Sequence, residues 1–247
     1  MIEAFRLGIF ARGTTLWDGV DLAFDDGSVS VIVGPPSSGK SILLSILRGE
    51  RPPDAGDVVV AGESLFRGKG GGSRSFRASC AFVPERFADP SVRTVSDLFR
   101  LSAFAGGGMK EGERRARQEG LLSMVGLAGS GEWRLASLSA SERARAELAA
   151  ELLRGPRFLF GDGVVAAAGG TFREMLGGLF RALAREGNTI VLAERQIPER
   201  WAAAAGQWTD AGPFRVYRIP VPAASAPAGD SAAMPAPAGG NATGGVA

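Results

Sequence analysis

The sequence predicts an α/β fold built around a sheet of mainly parallel strands. Short apolar runs alternate along the chain with longer stretches of helical periodicity, and this alternation is typical of parallel sheets covered by helices. The predicted buried strands are Ser28–Val33, Asp57–Ala61, Ser79–Val83, Arg157–Phe160 and Thr189–Ala193. The predicted helices are Lys40–Arg48, Val95–Ala105, Glu111–Val125, Ser139–Arg154, Thr171–Glu186 and a short one near Ile197–Ala204.

The regions before and after this alternation are predicted to differ from it. β-rich runs at Phe5–Phe10 and Val20–Phe24 precede the first buried strand, and Trp208 with Phe214–Tyr217 suggests a final hairpin. The last segment, Ile219–Ala247, consists mostly of Ala, Pro, Gly and Ser. Such a composition buries too little apolar surface to offset the entropy of ordering, so we expect a disordered tail after a folded domain of residues 1–218.

Two internal stretches also stand apart. Residues 90–136 have helical periodicity but no strand pattern, which predicts an α-helical subdomain inserted into the α/β domain. Gly68–Ser75, with the sequence GKGGGSRS, follows no buried strand and is predicted to be a flexible loop.

The composition excludes several classes of active site. The 247-residue chain contains no histidine and a single cysteine, Cys80. It therefore cannot form a Ser-His-Asp triad, a histidine-ligated metal site or a multi-cysteine zinc site. Oxygen ligands for Mg²⁺ remain available.

Charge and hydropathy bound the partners and the location. The 28 basic residues nearly balance the 26 acidic ones, so the charge gives no support to a nucleic-acid partner. No strongly apolar run reaches the roughly 18 residues that a membrane span needs, and the first residues lack the layout of a signal peptide. We therefore expect a cytoplasmic chain that reaches a membrane only through a partner.

The segment Gly34–Ser41, called here the Gly34–Ser41 loop, has the sequence GPPSSGKS and fits the phosphate-binding pattern G-x-x-x-x-G-K-[ST]. A predicted buried strand precedes this loop and an apolar helix follows it. Phosphate binding at a helix N-terminus requires both, whereas a plain turn would need neither. Backbone N–H groups and the helix N-terminus are expected to bind phosphate oxygens. Lys40 would reach the β- and γ-phosphates, and the Ser41 hydroxyl would ligate Mg²⁺. The candidate binding residues are Gly34, Ser37, Ser38, Gly39, Lys40 and Ser41.

The segment Ser137–Gly163 resembles the core of an ABC-type ATPase, and the resemblance extends over about residues 3–217. Residues 138–142, with the sequence LSASE, stand at the family's signature, which opens a helix, and Asp162 stands at the end of its Walker B strand. The resemblance implies a P-loop NTPase core of the ABC type that binds ATP and Mg²⁺, with an N-terminal antiparallel β part and an inserted α-helical subdomain. It places Phe10 at the aromatic that stacks on adenine, and Ser139 at a helix N-terminus that faces the nucleotide of a second ATP-binding subunit.

The same resemblance implies that the chain docks on an integral membrane subunit of a transporter, at the inner face of the cell membrane. It also implies a Mg²⁺ site formed by Ser41, Asp162 and Glu85, because Glu85 stands at the position of a glutamine that contacts the ion. A carboxylate there changes the local charge balance.

Two further positions depart from the family pattern where hydrolysis takes place. Gly163 stands where a glutamate normally acts as the general base, and Arg195 stands where a histidine normally senses the γ-phosphate. A glycine cannot accept a proton, and losing a positioned general base lowers a rate by about 10²–10⁴-fold. The sequence therefore predicts that no catalytic residue is intact and that the chain binds ATP better than it hydrolyses it.

Several alternatives remain open at this stage. The chain could be a transporter subunit with a weak hydrolytic site, a non-hydrolysing ATP-binding regulatory module, or a cytosolic ABC protein without a transport role. Glu194 or Glu85 could replace the missing base, although Glu194 also fits a solvated charge at the end of a strand.

Overall fold

The computed structural model describes residues 1–11, 13–67, 71–85, 89, 91–199, 201 and 214–218. The strands are β1 (Ile2–Ala11), β2 (Thr14–Phe24), β3 (Val29–Val33), β4 (Ala55–Val60), β5 (Glu63–Ser64), β6 (Cys80–Val83), β7 (Phe158–Asp162), β8 (Thr189–Glu194) and β9 (Phe214–Arg218). The helices are α1 (Lys40–Leu47), α2 (Gly71–Ala78), α3 (Val95–Ala105), α4 (Glu111–Met124), α5 (Ala140–Leu152), α6 (Val164–Ala168) and α7 (Gly170–Arg185). A 3₁₀ turn spans Leu135–Ser137.

The N-terminal part is an antiparallel sheet in the order β2-β1-β4-β5, as the sequence predicts. Its buried face carries Ile2, Leu7 and Ile9 of β1 with Trp17 and Phe24 of β2. These side chains join one core cluster with the apolar residues of α1. The antiparallel sheet therefore covers α1 and the loop that precedes it.

The second sheet is parallel, in the order β6-β7-β8-β3-β9. Every residue of β3 and of β8 is buried, which is the expected state of a strand covered by helices on both faces. Val191 and Ala193 pack in the cluster of α1, whereas Ile190 and Leu192 pack in a second cluster with α5, α6 and α7. Successive side chains along a strand point to opposite faces of the sheet. Odd- and even-numbered residues of β8 therefore contact different helices.

Helices α3 and α4 form the core of the predicted helical region and pack on α5 through a third cluster. Phe99 of α3, Leu122 of α4 and Ala149 of α5 are fully buried there. In the described part of residues 90–136, the β pairing is limited to an isolated bridge between Thr94 and Arg134. Within the residues that the structure describes, no helix is long and apolar enough to cross a membrane.

Two internal segments differ from the prediction. The strand predicted at Asp57–Ala61 is present as β4, but Val58 is its only buried residue, and β4 pairs antiparallel with β1 outside the parallel sheet, because an apolar run does not reveal its partner. Residues 71–78, predicted in part as a flexible loop, form helix α2. The ring of Phe76 on this helix lies 5.0 Å from the ring of Phe158, a tertiary contact that outweighs the weak helix propensity of the glycines.

Of the predicted final hairpin, Phe214–Tyr217 is confirmed as a strand, β9, which pairs parallel with β3. Trp208, the segment 219–247 and most of the helix predicted near Ile197–Ala204 lie outside the described residues. Strand β5 and helix α6 have no counterpart in the prediction. The other predicted strands and helices are confirmed with ends displaced by a few residues.

Candidate functional site

The Gly34–Ser41 loop joins the buried end of β3 to the first turn of α1. At its start, the Gly34 N–H donates to the backbone carbonyl of Glu194, 3.1 Å away. At its end, Gly39 has φ +87° and directly precedes α1. This left-handed conformation is unfavourable for a residue with a Cβ, so the second glycine of the motif is required by the backbone path.

Lys40 folds back over the loop and is only 8% exposed. Its Nζ donates to the carbonyl oxygens of Gly34, at 2.8 Å, and Pro35, at 2.7 Å, and to the Ser38 hydroxyl at 3.3 Å. Burial lowers the pKa of Lys40, and the nearby Asp162 carboxylate partly opposes this. A buried ammonium held only by neutral oxygens is well suited to exchange them for charged phosphate oxygens.

Trp17 of β2 packs against the Gly34–Ser41 loop, a contact that the sequence motif of the loop does not reveal. Its indole Nε1 donates to the Ser38 carbonyl at 2.7 Å, and the side chain is 5% exposed. A Cβ on Gly39 would lie 2.9 Å from this nitrogen, so the indole also leaves no room for a side chain there. A tryptophan near the start of β2 was the available signal, but the residue that it contacts could not be read from the sequence.

Two cavities flank the loop. The larger, of about 480 Å³, is lined by Pro36, Ser37, Lys40, Ser41, Glu85, Asp162, Gly163, Ala166, Ala167, Ala193, Glu194 and Arg195. The smaller, of about 400 Å³, is lined by Ala11, Thr14, Leu16 and residues 37–42. The fold thus brings together at one cavity the predicted residues Ser37, Lys40, Ser41, Glu85, Asp162, Gly163 and Arg195.

Phe10, Gly34 and Ser139 are the predicted site residues that do not line either of these two cavities. Phe10 is 45% exposed on β1, and the residues that line the smaller cavity on that side are Ala11, Thr14 and Leu16. Ser139 is exposed at the N-terminus of α5. It forms a capping box with Glu142, whose N–H donates to the Ser139 hydroxyl at 3.2 Å and whose carboxylate accepts from the Ser139 N–H at 2.8 Å.

Asp162 and Glu194 end neighbouring strands but serve opposite faces of the sheet. Phe158 and Phe160 lie in the α1 cluster. Asp162 is two residues beyond Phe160 on the same strand, so its carboxylate points to the same face of the sheet, on the side of the Gly34–Ser41 loop. Glu194 points to the same face of the sheet as Ile190 and Leu192, which is the face covered by α6.

Glu194 is 1% exposed, so the interpretation of a solvated charge at a strand end is wrong. Its carboxylate accepts from the N–H groups of Val165, at 2.7 Å, and Ala166, at 3.3 Å. Burial raises the pKa of Glu194 to about 7, while these two hydrogen bonds and Arg173 oppose the rise. The Glu194 carboxylate therefore accepts hydrogen bonds from N–H groups at the start of α6, which have no acceptor within the helix. The residue before α6, Gly163, has no side chain that could accept them.

Glu85 and Arg195 form an ion pair at the mouth of the larger cavity. Arg195 Nη2 lies 3.0 Å from Glu85 Oε1, and the two side chains are 63% and 52% exposed. Glu85 follows β6 and Arg195 follows β8, so the sheet order brings the pair together on either side of β7. Sequence reasoning identified both residues but not their contact.

The oxygen donors at the larger cavity fit a Mg²⁺ ion that is shared with phosphate. The Ser41 hydroxyl and the carboxylates of Asp162 and Glu85 line this cavity. The described residues contain no group of three or more His, Cys, Asp or Glu side chains that could hold a metal by themselves. Mg²⁺ commonly takes one or two carboxylates and completes its six ligands with water and substrate phosphates.

Comparisons with known proteins agree with this architecture. The family model described as "ABC transporter" matches residues 17–166, more than half of the 247 residues. The methionine import ATP-binding protein MetN of Geobacillus kaustophilus is 32% identical over 62% of this chain and 44% of its own length. The Fe(3+) ions import ATP-binding protein FbpC of Streptomyces avermitilis is 32% identical over 84% of this chain and 61% of its own length. The chain thus spans about half the length of these relatives.

Solved structures share the fold at lower sequence identity. A dimeric bacterial ABC transporter cassette has a TM-score of 0.69 at 23% identity, with 79% of this chain and 88% of that chain covered. The ATP-binding subunit of an ABC transporter has a TM-score of 0.70 at 20% identity, with 89% of this chain and 88% of that chain covered. With the architecture of an ATP-binding cassette and a family match over most of that cassette, the chain belongs to the ABC transporter family.

Proposed function

We propose that this chain binds Mg²⁺ and ATP at the Gly34–Ser41 loop and serves as the nucleotide-binding subunit of an ABC transporter. The observation that carries the proposal is Lys40, a buried ammonium poised between two cavities at the N-terminus of α1. The helix N-terminus and the loop N–H groups add partial positive charge at the same place.

The two cavities support a division of the nucleotide along the loop. The larger one contains Lys40, Ser41 and Asp162 and suits the terminal phosphates with their metal ion. The smaller one is lined by the apolar Ala11 and Leu16 and by Thr14, and it suits the nucleoside. Phe10 would then reach adenine only from the rim of that cavity.

The chain is proposed to hydrolyse ATP slowly. Gly163 has no side chain to accept a proton from water, and an arginine at position 195 supplies N–H donors but no hydrogen-bond acceptor. Its guanidinium can instead bind the γ-phosphate through charge-assisted hydrogen bonds. Binding and hydrolysis are therefore separable in this chain.

The partners are proposed from the relatives, whose names describe ATP-binding proteins of importers, and from the dimeric cassette that shares the fold. The chain would act with a second ATP-binding subunit and an integral membrane subunit, on the cytoplasmic side. Ser139, at the exposed start of α5, would then face the nucleotide of that second subunit.

The proposal is tested by titrating the full chain with a fluorescent ATP analogue in the presence and absence of Mg²⁺. Replacing Lys40 with Ala is expected to weaken binding by about 10- to 100-fold, because charge-assisted hydrogen bonds contribute about 1.5–3 kcal/mol. Lys110→Ala is the control, since this exposed lysine lies at the start of α4. Unaltered binding by the Lys40→Ala chain would contradict the assignment.

The altered positions Gly163 and Arg195 favour one alternative, in which ATP only stabilises a conformation that regulates a partner. Tight ATP binding without turnover, even in the assembled complex, would support that second function.

A further inference from the structure

A third cavity, of about 460 Å³, lies between the first turns of α5, the end of β6 and helix α6. Its volume is typical of a small-molecule site. Among the described residues, it shares Glu85 and Ala167 with the larger cavity beside the Gly34–Ser41 loop and contains neither Lys40 nor Asp162. Its apolar walls include Val83, Leu138 and Val164, and its charged groups are Glu85, Arg143 and Glu147.

Glu147 of α5 brings a buried carboxylate to the wall of this third cavity. The residue is only 6% exposed. Its Oε1 atom is buried and has no hydrogen-bond partner among the described residues. A buried polar atom without a partner raises the free energy of the folded chain. A ligand that supplied a donor to this carboxylate would remove that cost.

Two other carboxylates of the same region already have donors. Glu194 accepts two backbone N–H groups at the start of α6. Glu151, one turn after Glu147 on α5, accepts hydrogen bonds from the Phe82 N–H and from the Arg154 guanidinium, each at 3.2 Å. Glu147 differs from both because it adjoins a cavity instead of a protein donor.

The charges around the third cavity favour a cation. Glu85 and Glu147 contribute two carboxylates, whereas Arg143 contributes one guanidinium. The Glu85 carboxylate is paired with Arg195. Arg143 donates from Nη2 to the backbone carbonyl of Leu135, 2.6 Å away, so its guanidinium is held at the 3₁₀ turn. The Glu147 carboxylate is therefore the group that a cationic ligand would neutralise.

We propose that the third cavity binds a small organic cation, an ammonium or guanidinium group on a short hydrocarbon stem, with the Glu147 carboxylate as its anchor. The charged end pairs with Glu147 and the stem packs on the apolar walls. This site is separate from the proposed binding of ATP, so it can be measured without nucleotide.

The protonation of Glu147 gives such binding a characteristic pH dependence. Burial raises the pKa of Glu147 to about 7, Arg143 opposes the rise and Glu151 adds to it. Glu85 also faces the cavity, whereas the α6 residues that line it are apolar. A cation binds the ionised carboxylate, so binding below pH 7 requires that Glu147 first release its proton. Affinity should therefore be about 10-fold higher at pH 8 than at pH 6.

The test titrates the full chain with n-butylammonium at pH 8 by isothermal titration calorimetry, without nucleotide. We expect a dissociation constant on the order of 1 mM, as for a ligand of so few atoms. n-Butanol has the stem without the charge, and methylammonium has the charge without the stem. Each should bind at least about 10-fold more weakly. Both ammonium probes remain protonated between pH 6 and pH 8, because alkyl ammonium groups titrate near pH 10.

Glu147→Gln keeps the size of the side chain and removes its charge. It should weaken n-butylammonium binding by about 10- to 100-fold and abolish the pH dependence. Glu151→Gln is the matched control, since Glu151 lies on the same helix and does not line the cavity; its n-butylammonium affinity should equal that of the wild type.

Three results would each overturn the inference: no detectable n-butylammonium binding, equal affinity for n-butanol, or equal affinity of the wild-type and Glu147→Gln chains. An affinity that falls between pH 6 and pH 8 would overturn it as well. A failure to bind ATP would contradict the proposed function and leave this inference unaffected.

Discussion

The Gly34–Ser41 loop and the strand ends that face it match the family pattern to different degrees. The loop has every fixed residue of its motif, and its lysine, glycines and helix N-terminus are arranged to bind phosphate. The facing strand ends carry Glu85, Gly163 and Arg195, at positions where the resemblance implies a glutamine, a glutamate and a histidine. Phosphate binding depends on backbone groups from one contiguous segment, whereas hydrolysis depends on side chains from three strands. A chain can therefore retain the first and alter the second.

The largest expected effect concerns the support of the loop. Trp17→Ala should lower the free energy of unfolding by about 3–5 kcal/mol, because a large buried side chain is lost. Trp17→Phe keeps most of the volume but removes the hydrogen bond to the Ser38 carbonyl, which should lower stability by about 1 kcal/mol and weaken ATP binding. Urea unfolding and nucleotide titration measure both effects. Trp133→Ala is the control, since Trp133 is 50% exposed. ATP binding of Trp17→Phe at the wild-type affinity would show that the loop needs no support.

The next prediction concerns Glu194, at the end of β8, in the chain free of nucleotide and Mg²⁺. Its pKa is raised from 4.5 to about 7 by burial, so the folded state binds a proton that the unfolded state releases. Stability should therefore fall as pH rises from 5 to 8. Glu194→Gln should reduce this fall by an amount on the order of 3 kcal/mol.

Glu147→Gln is the matched control for that pH dependence, because burial also raises the pKa of Glu147 to about 7 and Glu147 does not line either cavity beside the loop. It should reduce the slope similarly and leave ATP binding unchanged. Equal slopes for wild type and Glu194→Gln would mean that Glu194 titrates normally.

A smaller effect on ATP binding is expected from replacing Arg195, which lines the larger cavity. This replacement tests whether the strand ends facing the Gly34–Ser41 loop contribute to ATP binding. Arg195→Ala should weaken ATP binding by about 10-fold, at the lower end for a charge-assisted hydrogen bond because the side chain is exposed. ADP binding should change little, since ADP lacks the terminal phosphate. Arg157→Ala is the control, because Arg157 forms a similarly exposed ion pair with Asp26. Equal losses for ATP and ADP would place the Arg195 contact elsewhere.

The smallest expected effect is that of the capping box of α5. Ser139→Ala should lower stability by about 1 kcal/mol without changing ATP binding to the isolated chain, because Ser139 lies outside both cavities. Thr94→Ala removes the matching capping box of α3 and should lower stability equally. If Ser139→Ala alone reduced ATP-dependent association of subunits, then Ser139 would have the second role that the family resemblance implies.

Local patterns predicted much of the fold and the binding half of the site. The motif at 34–41 depends on residues a few positions apart, so its chemistry can be read from spacing. The buried strands β3, β7 and β8 were predicted because each carries a continuous apolar run. The departures from prediction at β4 and α2 concern packing partners, since an apolar run or a glycine-rich run does not specify what it packs against.

The altered half of the site divides in the same way. The sequence by itself determined that the chain has no histidine, that position 163 has no side chain, and that an arginine follows the strand ending at Glu194. The tertiary structure alone decided that Glu194 is buried against α6, that Trp17 supports the Gly34–Ser41 loop, and that Glu85 fills the space beside Gly163 while it contacts Arg195. Residue identity limits which chemistry is available, but distances between residues far apart in the chain are fixed by strand order and by the alternation of side chains across the sheet.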